Sequence, residues 1–230
     1  MENERALTLT EAALRPTSAS LVAEQSRTLA QPRRRYSLLA RMLFLTMDVL
    51  YGRRRSFKKF KVLEVVARVP YQAWENVAYV AMTHTHRSPA FARRIFQFVV
   101  DSRKQQDNEQ WHLFILEELL AERGERQGFL RFFLIPQLLS MVYYHISWLL
   151  FVVSPSMSHR LNADFEDHAE HEYMEFVREN PSFTELPWQS AFKSDYGNHA
   201  TLADVLMQIA LDERHHKEES LSHLTKPRFT

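Results

Sequence analysis

The chain has 230 residues, which suits one domain, or one domain with an arm. Its 29 Lys and Arg nearly balance 28 Asp and Glu, so a general nucleic-acid role has no electrostatic support, although the basic residues are unevenly placed. There is no Cys, which excludes disulfides, thiolate metal ligands, a thiol nucleophile and regulation through a thiol, and leaves carboxylate and imidazole as the strong ligands.

Only four Gly among many Leu, Ala, Glu, Arg, Met and Phe favour helix, and no alternating strand pattern persists, so the fold class is all-α. Residues 1–35 are polar and mixed in charge, with Pro16 and Pro32, and read as a loose arm. Glu2, Glu4, Glu11 and Glu24 count against both a secretory signal and an acid-poor transit peptide, which points to a start in the bacterial cytoplasm. Arg33-Arg34-Arg35 and Arg53-Arg54-Arg55 with Lys58-Lys59 then bracket an apolar segment from Tyr36 to Tyr51. That arrangement suits a membrane surface, with cations at the headgroups; the alternative is an ordinary bundle helix with solvated ends.

A helix from Leu63 to Met82 carries Glu64 near its start and Pro70, where a kink is expected. Ser88-Pro89 breaks the chain, and the next helix, Pro89 to Glu122, carries Glu109 and His112 before Gly124 to Gly128 supply its stop. Phe132 to Val153 has 22 residues without a charged side chain, long enough to span a membrane. Its Pro136, Gln137, Ser140, His145 and Ser147 dilute it, and Tyr143, Tyr144 and Trp148 favour an interface, so lying in one leaflet is preferred over spanning or burial as a core helix. Helices from Ser158 to Arg178, stopped before Asn180-Pro181, and from Leu202 to Leu221 complete a set of about six. The domain therefore runs from 36 to 224, with a tail over 225–230.

Two Glu-x-x-His motifs, Glu109-Gln-Trp-His112 and Glu213-Arg-His-His216, each follow a lone glutamate, Glu64 or Glu166. Residues three apart share a helix face, so each motif can aim a carboxylate and an imidazole at one point. One such motif is expected by chance in a chain this rich in Glu and His; the repetition is more informative. Glu64 to Glu166 spans 102 residues, while Glu109 to Glu213 and His112 to His216 each span 104. A bundle receiving Glu from two helices and Glu-x-x-His from two others can enclose a metal pair, and iron or manganese suits these ligands better than zinc. The competing reading is solvated helix faces with coincidental histidines.

The words around these residues are more specific. Tyr51-Gly-Arg-Arg-Arg leads to Val62-Leu-Glu-Val-Val-Ala-Arg-Val-Pro-Tyr71, then come Asn108-Glu-Gln-Trp-His-Leu113 and Glu117-Glu-Leu119. Ser154-Pro-Ser-Met157, His159-Arg160, Phe165-Glu-Asp-His-Ala169 with Tyr173, and Asp212-Glu-Arg-His-His216 follow in order. Over residues 36 to 224 the chain resembles the alternative oxidase family, and the plastid terminal oxidase branch more than the mitochondrial one. The resemblance implies a ferritin-like four-helix di-iron bundle with added apolar membrane-associated helices, and a monotopic quinol oxidase that passes electrons from quinol to O2, forming water. It also suggests a homodimer and, with the cytoplasmic start, the cytoplasmic face of a bacterial inner membrane. With no ionisable chain crossing the bilayer, protons would not be pumped. Rival readings are a di-iron monooxygenase or desaturase acting on a quinone or lipid, and a ferritin-like iron-binding protein without turnover.

Carried across by position, the ligands of two iron ions would be Glu64, Glu109, His112, Glu166, Glu213 and His216, the set that the spacing proposes. Tyr173 lies seven residues after Glu166, two turns along the same face, and matches the family's tyrosine, an electron and proton donor in oxygen cleavage; the bland alternative is a buried tyrosine with a satisfied hydroxyl. Asp212 and Asn108 each precede a ligand, so they point away from the metals, where a carboxylate can hold the N–H of a ligand imidazole or pair with a buried cation. His168 and His215 read as solvated or structural. For quinol, Leu63 and His159 match the family's pocket, Lys59 replaces an arginine, and Glu172 replaces a threonine, a carboxylate that reads either as an acceptor for a quinol proton or as the mark of a pocket for another reductant. Further departures are Val65 for threonine, Asp167 and His168 for acidic residues, and Ala210-Leu211 for arginine-alanine; none removes an iron ligand.

Overall fold

The computed structural model describes residues 16–85, 87–225 and 228–229. Among them the architecture is helical throughout: α1 (Ser18–Ala30), α2 (Leu38–Tyr51), α3 (Phe57–Ala67), α4 (Val69–Thr83), α5 (Pro89–Glu122), α6 (Ile135–Val153), α7 (Pro155–Glu179) and α8 (Leu202–Ser222). A π-helical turn, Leu130–Leu134, leads into α6, and short turns at Pro181–Thr184 and Lys193–Tyr196 join α7 to α8.

Local chemistry sets the boundaries. Ser56 and Ser37 cap α3 and α2 through their hydroxyls, and α2 stops at Gly52, whose φ of +86° suits a residue without Cβ. Thr201 and Asp204 form a reciprocal capping box on α8. Proline opens α5 and α7 at their first turn, where its missing N–H has no helical partner to lose. Pro70 does more than kink: the helix ends at Ala67 and restarts at Val69, with Arg68 between the two segments. The first segment starts at Phe57, six residues before the expected Leu63, because Lys58 and Lys59 belong to a capped helix rather than to a basic flank.

Helices α3, α5, α7 and α8 form the bundle, and α7 and α8 share its most extensive packing. The core is three apolar clusters. One surrounds Leu116, Tyr173 and Leu206, one lies beneath α2 and α6 around Leu63 and Phe165, and one contains Trp74, Phe98 and Phe151.

The N-terminal expectation needs correction. Residues 1–15 lie outside the described residues, but 18–30 form α1, which docks on α7 and α8 and is no loose arm. Leu21 is 1% exposed, Thr28 donates to Glu170 at 2.8 Å, and Gln25 donates to the Met174 carbonyl at 2.9 Å. Arg214 binds both Glu24 and Thr28. Only Leu21 and Leu29 of α1 reach the core, and polar pairs fill the rest of its docked face, so it lacks the continuous apolar stripe by which a docked helix is recognised. At the other end, Lys226, Pro227 and Thr230 of the expected tail lie outside the described residues, while Phe229 packs against Phe98 and Phe151.

The expectation for the apolar segments is sharper in three dimensions. Leu130–Val153 is long and apolar enough to cross a membrane, and only 22% of its apolar window is buried, which rules out a core helix. On α2, Leu38, Met42, Leu45 and Val49 are exposed, as are Leu138, Met141, Val142, Leu149 and Val153 on α6. Isolated exposed apolar residues are ordinary, but two neighbouring helices exposing whole faces above one apolar cluster are not. The other side of α6 packs along α4, where Trp148 donates to Asn76 at 3.0 Å.

Candidate metal centre

Each bundle helix places one or two acidic or imidazole groups at the centre: Glu64 from α3, Glu109 and His112 from α5, Glu166 from α7, and Glu213 and His216 from α8. Five of the six are completely buried and His216 is 3% exposed. Their donor atoms fall into two groups, each within 4.8 Å: Glu64, Glu109, His112 and Glu213, and Glu109, Glu166, Glu213 and His216. Glu109 and Glu213 belong to both. The doubled spacing of the sequence is therefore a doubled site with two shared carboxylates.

The distances describe a nest of acceptors. His112 Nδ1 is 3.3 Å from Glu64, 3.7 Å from Glu109 and 3.2 Å from Glu213; His216 Nδ1 is 2.8 Å from Glu109 and 3.8 Å from Glu213. Both oxygens of Glu109 and Glu213, one of Glu166, and His216 Nδ1 are buried without a hydrogen bond. Buried polar atoms are nearly always satisfied, so such a concentration of orphans facing one point fits a cation pair.

The electrostatics agree. Burial, reinforced by Glu213, pushes Glu64 and Glu166 well above the usual carboxylate range. Burial also works against the charged form of Glu109, but His112 and His216 beside it hold it low. Against its own burial, His216 is raised to about 10 by Glu109 and Glu213. Without metal, the cluster must retain protons on some carboxylates and on its imidazoles; a cation pair takes over that role.

Neighbouring groups orient the candidate ligands. Asp212 accepts from His112 Nε2 at 3.2 Å, so His112 turns its Nδ1 to the centre, and Asp212 is itself held by Tyr196 at 2.6 Å, Gln208 at 2.9 Å and Asn108 at 3.3 Å. Of the two groups expected to lie behind the ligands, Asp212 touches His112 and Asn108 touches Asp212. Tyr173 is fully buried, with its ring stacked on Phe60 at 4.2 Å and its hydroxyl donating to Glu64. Two tyrosines were missed. Tyr71 donates to Glu166 at 2.7 Å and receives Asn162 at 2.9 Å; its signal was its place seven residues after Glu64. Tyr196 sits in an irregular connection with no periodicity to reveal it.

The expected quinol residues divide. Leu63 is buried in the cluster beneath α2 and α6. Lys59 pairs with Asp48 of α2 at 2.6 Å, close to His168, around which Glu172 and Arg33 also gather. Glu172 is paired twice, with Arg33 at 2.7 Å and Arg55 at 3.0 Å, and against its burial His168 and these guanidiniums hold it below the usual range. A proton acceptor for quinol needs a free oxygen and a higher affinity, so Glu172 is better suited to fixing the two arginines. His168 is stacked on Phe44 at 4.0 Å, with burial lowering it to about 4. His159 lies elsewhere: it is 13 residues before Glu172 on one helix, about 20 Å along the axis, and its ring packs on Trp74 and His223. A further acidic group on α7, Asp167, Glu170 and His171, already has cations in place, since Lys217 binds both carboxylates and Arg214 binds Glu170.

Comparison with known proteins matches this arrangement. A model of the alternative oxidase family covers residues 19–223. Ubiquinol oxidase 4, chloroplastic/chromoplastic, of Arabidopsis thaliana is 33% identical over 132 residues, covering 57% of this chain and 34% of the relative. Mitochondrial ubiquinol oxidase 2 of the same plant is 24% identical over 185 residues, 78% of this chain and 48% of the relative, and the mitochondrial ubiquinol oxidase of Mangifera indica is 24% identical over 184 residues, 77% and 53%. The chain thus spans about half the length, or less, of these relatives. With the family's signature extending across nearly all of its length, the chain belongs to the alternative oxidase family.

Proposed function

We propose that the protein is a monotopic, membrane-attached quinol oxidase that holds two iron ions and reduces O2 to water. The observation that carries this reading is the fully buried set of four carboxylates and two imidazoles, in two groups sharing Glu109 and Glu213. Four carboxylates offset the charge of two irons, and the absence of thiolates suits an iron rather than a zinc site. When bound, the iron pair supplies one-electron chemistry and open positions for oxygen.

The chain's own residues supply the rest. Glu64, Glu109, His112, Glu166, Glu213 and His216 hold the metals, and Asp212 keeps His112 in the required tautomer. Tyr173 donates its hydroxyl to Glu64, which places one exchangeable proton and an oxidisable ring beside a ligand. Tyr71 holds Glu166 in the same way. A quinol ring arriving from lipid meets the cluster beneath α2 and α6, where Leu63 and Phe165 are each one residue from a ligand. Lys59, with Asp48, stands at that edge, and Glu172 fixes Arg33 and Arg55 there. Quinol-dependent oxygen consumption by the purified, iron-loaded protein tests this assignment.

Packing supports attachment through one leaflet rather than a span. Helix α6 runs beside α4, whose Glu75 pairs with Arg103, so a spanning α6 would carry charged bundle surface into hydrocarbon. Without a path across the bilayer, the energy of quinol oxidation is released as heat. Val49 and Leu149 project from the two exposed faces; Val49→Asp with Leu149→Asp removes about 1.5–3 kcal/mol of apolar insertion per site, on the order of 10²- to 10⁴-fold in partition for the pair. The double variant is expected in the soluble fraction after a carbonate wash, and its retention in the pellet would refute this face as the attachment surface.

A further inference from the structure

The buried centre poses a delivery problem. A ferrous ion must reach six ligands that are almost wholly enclosed, and the face beneath α2 and α6 is a poor path. Apolar residues there offer no replacement for the ion's hydration shell, and Arg35, Arg41, Arg53 and Arg54 are exposed around it. Away from that face, between α5 and α8, lies a cavity of about 300 Å³ that opens to solvent and reaches the centre.

Its lining changes with depth. The side chains of Lys104 and His215 are 73% and 76% exposed, Asp101 and Glu219 are 37% and 27%, Asp212 is 21%, and His216 is 4%. Three carboxylates thus face a single ammonium, and that ammonium is 3.9 Å from Asp101. Glu219 accepts from Gln105 across the cavity, linking α8 to α5, with His215 Nε2 4.0 Å from the same oxygen. At the floor, His216 is buried with Nδ1 lacking a hydrogen bond, 2.8 Å from Glu109, the carboxylate shared by both donor groups.

We infer that this cavity is the route by which ferrous ion enters and leaves the centre, with Asp101, His215 and Glu219 as transit ligands at its mouth and His216 as the first permanent ligand. Oxygen and imidazole donors suit ferrous ion, and their exposure suits exchange rather than retention. A negatively lined cleft also concentrates a dication before it binds. The inference rests on the di-iron reading above, and it gives His215 a use outside the ligand set.

The test follows iron movement rather than turnover. Full-length protein, stripped by a chelator and checked for retained helix content, is mixed anaerobically with ferrous ion, and bound iron is sampled over time; release from the refilled protein into excess chelator is then followed. Asp101→Asn with Glu219→Gln is expected to fill about tenfold more slowly and to lose most of its salt dependence, with the same final iron content. His215→Trp, which narrows the mouth, should slow filling and release together, while Glu122→Gln with Glu185→Gln, exposed acids outside the cavity lining, should match the wild type. Unchanged rates in both cavity variants, or a lowered final content at an unchanged rate, would overturn the route. No iron uptake by the wild type would instead overturn the di-iron reading itself.

Discussion

Glu213→Ala is expected to bind less than one iron per chain and to lose quinol-dependent oxygen uptake by at least a hundredfold. Glu213 belongs to both donor groups, so its loss opens both half-sites at once, whereas loss of Glu64 or Glu166 opens one. The metal-free forms should behave in the opposite direction. Glu213 is the strongest neighbouring charge acting to raise both Glu64 and Glu166, so the isosteric Glu213→Gln removes repulsion without leaving a cavity. Stripped Glu213→Gln should therefore melt no lower than stripped wild type, while added ferrous ion should raise the melting temperature of the wild type only. Metal analysis and paired thermal melts check both halves; an iron-replete, active Glu213→Ala would remove this residue from the site.

Tyr173→Phe separates chemistry from construction. The ring, its stacking on Phe60 at 4.2 Å and its fully buried position are preserved, and only the hydroxyl that donates to Glu64 is lost. Burial and the charge on Glu64 push the Tyr173 pKa far up, so in the metal-free protein the phenol keeps its proton throughout the usual range and acts as donor. Iron content should be unchanged and turnover should fall by about 10²–10⁴, the range for a positioned proton donor. A purely structural tyrosine would give the reverse pattern, with normal turnover per iron and reduced stability. The measurement is turnover normalised to bound iron.

The residues explain why so much of the site was legible. A helix converts a three-residue interval into a shared face, so Glu109 with His112 and Glu213 with His216 declared their geometry in one dimension, and seven residues did the same for Glu166 and Tyr173. Asp212 was legible as the neighbour of a ligand, since adjacent helical residues face different partners. The helix start at Pro89 was equally plain, whereas Pro155 opens α7 three residues before the expected Ser158 and the chain restarts at Val69 where only a kink at Pro70 was expected. Tyr196 was not, because it reaches Asp212 from a connection whose path is set by tertiary packing. Helix α1 was not, because between Leu21 and Leu29 its docked face is polar, made by Glu24, Gln25 and Thr28. The proposed quinol pocket was the least legible part. Positions carried over one at a time from a resemblance placed His159 with Glu172, whereas about 20 Å of helix separates them. The role of Glu172 changed for a similar reason: its partners, Arg33 and Arg55, come from distant segments.

The central claim is that electrons from quinol reduce oxygen fully, and the balance of that reaction is its most direct test. Reduction of O2 to water takes four electrons and each quinol gives two, so the iron-loaded protein, with labelled oxygen, should oxidise two quinols for every O2 consumed and send all of the label to water. Consumption of one quinol or lipid per O2, with label in the organic product, would contradict the oxidase assignment and identify an oxygen-inserting enzyme built on the same ligands.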